Sequence, residues 1–87
     1  MRIRSFEWDI VNVGHIARHG VTPDAVEEAC FNSPLVLKGR GGRYYVLGRA
    51  DSGRYLMIVL EYYGSGSVRV ITARDMTIAE RRRFRRR

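Results

Sequence analysis

Several side chains of this sequence have the types and spacing to act on a phosphate. Arg43 and Arg49 stand six apart in RYYVLGR, so on a regular strand they share one face, with Tyr45 and Leu47 between them. Cations interleaved with an aromatic ring suit single-stranded RNA, where a base stacks on the ring. An ordinary solvated strand face, with Tyr45 as partial core, fits the same pattern. Glu61 and Tyr63 share a face in the same way. The carboxylate could take a proton and the phenol could stack or donate one; the plainer reading is a strand-end acid paired with a cross-strand arginine. Arg74 ends the run VRVITAR, and its planar fork matches a phosphate. The competing reading is an ion pair with Asp75, Glu80 or Glu61.

Other reactive types read more simply. His15 and His19 are four apart on one helix face, a geometry that can bind zinc, but no third ligand follows at a suitable spacing. His19 precedes a helix-ending glycine, where a histidine interacts well with the helix dipole; an acid–base role for it is the less favoured reading. Cys30 lies with Val26 on an apolar face, as a buried inert thiol would. The loop Gly39–Gly42 could cradle a phosphate with its amides, yet it lacks the Lys-Ser/Thr of a P-loop and reads as a hairpin turn. Trp8 reads as core, or as the edge of a partner's groove.

The elements that must position these residues are legible in outline. Arg2–Trp8 alternates as a short strand. Asp9 caps a first helix that Gly20 ends, and Thr22-Pro23 starts a second that closes at Asn32-Ser33-Pro34. Leu35–Lys38, Arg43–Arg49, Arg54–Tyr63 and Val68–Ala73 are strands separated by Gly-rich turns. Thr77-Ile78-Ala79-Glu80 is a capping box that opens a terminal helix. The order β-α-α-β-β-β-β-α predicts an α+β fold, with a mainly antiparallel sheet and its helices on one face.

Eighty-seven residues make one domain, expected over 1–80, with 81–87 as a basic helix end or tail. The net charge of +7 is uneven. Residues 1–37 carry three Arg against five acids, residues 38–54 five bases against one acid, residues 55–80 two against three, and residues 81–87 six Arg. The surplus therefore sits near the first hairpin and at the end, as a polyanion-facing surface with a sticky tail would place it. RNA or an acidic protein segment would satisfy such a tail. No apolar run is long enough for a transmembrane helix, and MRIRSFEWD lacks the apolar stretch of a signal peptide. With one cysteine, a cytoplasmic setting without membrane association is expected.

Several short motifs occur in a telling order. They are Phe6-Glu7-Trp8-Asp9, Asn12, His19-Gly20-Val21, Phe31-Asn32-Ser33-Pro34, Arg43-Tyr44 with Gly48-Arg49, Arg69-Val70-Ile71-Thr72-Ala73-Arg74, and Glu80-Arg81-Arg82-Arg83-Phe84. In that order, nearly end to end, the chain resembles the BrnT-like toxins of bacterial type II toxin–antitoxin systems, which share the RelE-like ribonuclease fold. The resemblance implies a cofactor-free, metal-independent endoribonuclease that cleaves mRNA, inhibits translation and is silenced by a cognate antitoxin. It implies Arg74 as the phosphate clamp, Glu61 and His19 as acid–base candidates, and Arg43, Tyr45, Arg49, Tyr63 and Arg69 as substrate-binding residues. A homodimer and a toxin–antitoxin hetero-oligomer are both compatible with it. The sequence departs from the family at Leu60-Glu61-Tyr62-Tyr63, which keeps only the acid of a Thr-Glu-Arg pattern. That leaves a second reading, a non-catalytic nucleic-acid-binding or partner-docking module that keeps the toxin fold.

Overall fold

A computed structural model describes all 87 residues. The elements are β1 (Ser5–Glu7), α1 (Ile10–Ala17), α2 (Pro23–Phe31), β2 (Leu35–Lys38), β3 (Arg43–Arg49), β4 (Tyr55–Tyr62), β5 (Ser67–Asp75) and α3 (Ile78–Arg85). The five strands form one sheet in the order β1-β5-β4-β3-β2, antiparallel except that β1 runs parallel to β5. The expected α+β class and element order hold. The first strand is shorter than Arg2–Trp8, because β1 pairs only with Ser67, Val68 and Arg69.

Local chemistry sets the helix ends. The Asp9 carboxylate accepts the amides of Val11 and Asn12, and the Asn12 side chain returns a bond to the Asp9 amide. Thr22 caps α2 with Pro23 in its first turn. Gly20, at φ +68°, turns the chain out of α1 in a conformation that costs a Cβ-free residue nothing. Gly48 serves a different purpose: a Cβ there would meet the Ala29 carbonyl oxygen of α2, so only glycine lets the helix lie this close to β3.

Two apolar clusters sandwich the sheet. The larger joins Ile16, Val21, Val26, Ala29 and Cys30 of the α1–α2 layer to Val46, Leu56, Ile58, Leu60, Val68, Val70 and Ala73. The smaller lies on the opposite face, where Phe84 of α3 packs with Leu47, Met57, Val59 and Met76. The expectation that all helices share one face is therefore corrected. Strands β3 and β4 are apolar on both faces at this end, and α3 is the only element that can cover the second face. Residues 81–85 lie within α3, and Phe84 is 4 % exposed, so the arginine run is anchored to the sheet through its one aromatic residue.

Asn12, 2 % exposed, joins α1 to the sheet. Its amide donates to the carbonyls of Glu7 and Val70, at the fork where β1 leaves β5 and α1 takes over the strand's edge. Between Val59 and Leu60 the β4–β5 register slips: Val59 faces Thr72 and Leu60 faces Val70, leaving Ile71 as the extra residue of a bulge.

Candidate active site on the open sheet face

The sheet face opposite α1 and α2 carries its side chains in cross-strand rows. The first row holds Arg43, Glu61 and Arg69, with Glu7 beyond them on β1. The second holds Leu37, Tyr45, Val59 and Thr72. The third holds Leu35, Leu47, Met57 and Arg74, and the fourth Arg49 and Tyr55. Helix α3 covers the last two rows, reaches Val59 of the second, and otherwise leaves the first two open. Tyr45, 41 % exposed, stands at the boundary.

The bulge decides which arginines reach this face. Arg69 and Arg74 are five apart, and a regular strand would send them to opposite sides. The extra residue resets the pleat, so Arg69 faces Glu61 and Arg74 faces Met57, both on the open side.

In the first row the arginines differ in their commitments. Arg69 donates to both oxygens of Asp9, at 2.7 and 3.3 Å, and lies 3.6 Å from Glu7. That guanidinium, with the Asn12 amide, holds the Asp9 carboxyl down at about 2. Arg43 is exposed, and neither Arg43 nor Glu61 belongs to any of the four ion pairs of the chain. They are direct cross-strand partners whose charges remain available to a third group. Tyr63, 52 % exposed, follows Glu61 two residues on, near enough to Arg69 to help raise its pKa.

Arg74 sits elsewhere. Its two terminal nitrogens donate to the two oxygens of Glu80, at 2.8 and 3.0 Å, and one also donates to the Asp75 carbonyl. Glu80 completes the capping box of α3 by accepting the Thr77 amide at 2.8 Å. Of the two readings of Arg74, the ion pair is the one formed, and to clamp a phosphate Arg74 would have to leave it. The pair lines a shallow cleft of about 290 Å³ with Tyr45, Leu37 and Arg83, so it borders the open rows. Arg74 faces Met57, four residues along β4 from Glu61, which is about 13 Å of strand.

His19 is not brought to the row. It is exposed at the end of α1, its carbonyl accepts from Arg54, and its ring meets His15 edge-on at 6.2 Å. Its charged neighbour is Asp75, whose carboxyl is held down chiefly by the bond from Arg54 and least by His19. Asp75 faces Leu56, five residues from Glu61 and so about 16 Å away along the strand. Arg49 is also remote: it donates to the Gly53 carbonyl and lies over the Tyr55 ring.

Sequence reasoning missed Tyr55. On the open face it collects Arg49, Arg81 and Arg85, with guanidinium carbons 5.0, 4.2 and 5.8 Å from its ring centre. A signal was present: Arg81 and Arg85 are four apart, hence on one helical face. What the face would meet was not legible. Cys30 is a core thiol, pushed up to about 12 by burial, and it stays protonated at neutral pH. Trp8 donates to Glu27 at 2.7 Å and stacks on Phe6 at the rim of the main core. No three His, Cys, Asp or Glu side chains converge as the ligands of a metal would. No helix is long and apolar enough to cross a membrane.

Compared with models of known protein families, the chain matches none, and it matches no curated protein.

Proposed function

We propose that the chain is an RNA-cleaving toxin of the RelE-like, BrnT-like kind, acting as a metal-independent endoribonuclease on mRNA and held silent by a cognate antitoxin. The observation that carries this reading is the Arg43–Glu61 couple: two opposite charges in cross-strand register on the uncovered sheet, with neither joined in an ion pair. The motif order of the sequence supports it. In the reaction Glu61 removes the 2′-OH proton, and the freed oxygen attacks the adjacent phosphorus. Arg43 stabilises the charge that gathers on the phosphoryl oxygens. Tyr63, on the same face, is placed to return a proton to the departing 5′-oxygen, leaving a 2′,3′-cyclic phosphate and a 5′-hydroxyl end. Tyr45 offers a base a stacking surface. Arg69 and Arg74, engaged by Asp9 and Glu80, fasten the sheet to α1 and α3 and touch no reacting atom.

The test is cleavage of a defined mRNA in excess EDTA by the wild type, Glu61→Gln, Arg43→Ala and Arg74→Ala. Glu61→Gln is expected to lose on the order of 10²-fold or more in rate, the usual worth of a general base. Full activity in that variant removes Glu61 from the chemistry. Cleavage abolished in Arg74→Ala, with the fold intact, would restore the clamp role that the family pattern implies for Arg74.

A second reading, a binding module without catalysis, is favoured by one feature: Arg74, the arginine that the family pattern implies as phosphate clamp, is occupied by Glu80. RNA bound with a steep salt dependence, and no product from any variant, would establish it.

A further inference from the structure

The arginines around Tyr55 form a second site that the cleavage scheme does not use. Arg81 and Arg85 descend from α3 and Arg49 rises from β3, so three like charges converge on one ring from two elements. None of them is in an ion pair. The one carboxylate on the rim, Asp51, accepts from the Asn32 amide. Arg81, whose Nε is buried without a hydrogen-bond partner, lines the neighbouring cleft with Arg54 and Asp75. The guanidinium groups, Arg85 foremost, also hold the Tyr55 phenol below its ordinary pKa. Beside them opens a polar cleft of about 670 Å³, walled by Arg49, Tyr55, Phe84, Arg85 and Arg87.

Convergent guanidinium forks outside any ion pair suit a tetrahedral oxyanion, which can take several charge-assisted bonds at once. The cleft also lies on the same sheet face as the Arg43–Glu61 row. Arg43 and Arg49 are six residues apart on β3, a separation of about 20 Å that a short stretch of RNA spans.

We propose that the cleft between α3 and the Arg49–Tyr55 row is a phosphate-binding subsite, in which Arg49, Arg85 and Arg87 hold a backbone phosphate of single-stranded RNA away from the scissile bond. The proposal rests on the RNA reading above. The arginine run is then a folded part of the substrate surface, and only its outward members, such as Arg82 and Arg86, act as diffuse charge.

The test follows the arginine Nε–H resonances of the full chain by ¹H–¹⁵N spectroscopy during titration with inorganic phosphate. A 5′-hydroxyl RNA oligonucleotide is titrated in parallel over a range of salt. The Arg85 resonance is expected to shift saturably with phosphate, while those of Arg82 and Arg86 stay in place. R85Q/R87Q should weaken RNA binding and lower the slope of log K against log salt by about 0.7 for each phosphate left without its arginine. R82Q/R86Q, which removes the same charge, should leave most of that slope. Arg49→Gln, on the other wall, is the second variant should α3 loosen. Equal effects from both double variants, or an acidic peptide that saturates Arg85 more tightly than RNA does, would overturn the proposal. RNA bound equally well by wild type and R85Q/R87Q would overturn the subsite alone. Phosphate saturation without any RNA binding would overturn the RNA assignment together with the reading it rests on.

Discussion

Replacing Glu80 by glutamine separates two tasks of one carboxylate. In the folded chain it pairs at two points with Arg74 and accepts the Thr77 amide at the start of α3. Glutamine keeps an acceptor for the cap, since the capping box works with either residue, but loses the charge that Arg74 meets. The pair is partly exposed, at 36 % for Arg74 and 27 % for Glu80, so solvent screening limits it to roughly 1 kcal/mol even with two-point geometry. Glu80→Ala removes the cap as well and should cost about 2 kcal/mol in total. In a domain of this size each kcal/mol lowers the melting midpoint by about 4–8 °C. Glu80→Gln is thus expected to fall by about that amount, and Glu80→Ala by about twice as much. Thermal unfolding of both, with Arg74→Ala and the double variant, closes a double-mutant cycle whose coupling should be near 1 kcal/mol. A coupling within about 0.3 kcal/mol of zero would refute the view that this pair fastens α3 to the sheet. RNA cleavage by Glu80→Gln, well below its midpoint, should match the wild type, because neither Arg43 nor Glu61 depends on Glu80.

Further outcomes follow from the same geometry. Asn12→Asp sets a carboxylate against the carbonyls of Glu7 and Val70, so it should cost about 3 kcal/mol or more in urea unfolding, above the cost of Asn12→Ala. Phe84→Ala empties the smaller core and should cost about 3–5 kcal/mol, with α3 released and the tail arginines newly open to protease. Acid should destabilise the chain through carboxylates whose folded pKa is depressed: Asp9 to about 2, with Asp75 and Glu80 shifted the same way. Their contribution is complete above the unfolded carboxylate range near 4 and is lost as pH falls through their folded values, so the melting midpoint should drop between about pH 4 and 2. Asp9→Asn should flatten that drop, and an unchanged acid profile would show that Arg69 does not depend on Asp9.

Much of the local structure was already written in the sequence, because it depends on neighbours in the chain. Asp9, Thr22-Pro23 and Thr77-Glu80 start the three helices where the cap chemistry places them. The pleat's period of two puts Arg43, Tyr45 and Arg49 on one face, as their spacing required. Three features depend on interactions between distant segments, and no spacing rule reaches them. Phe84 drew the arginine run onto the second face of the sheet, because a buried aromatic outweighs the pull of six solvated cations toward water. The choice of Glu80 over Asp75 or Glu61 as the partner of Arg74 followed from where α3 came to lie. The bulge at Ile71 put Arg69 and Arg74 on the same side against their odd separation, since pairing register is set by the strand across the sheet rather than by the residues between them.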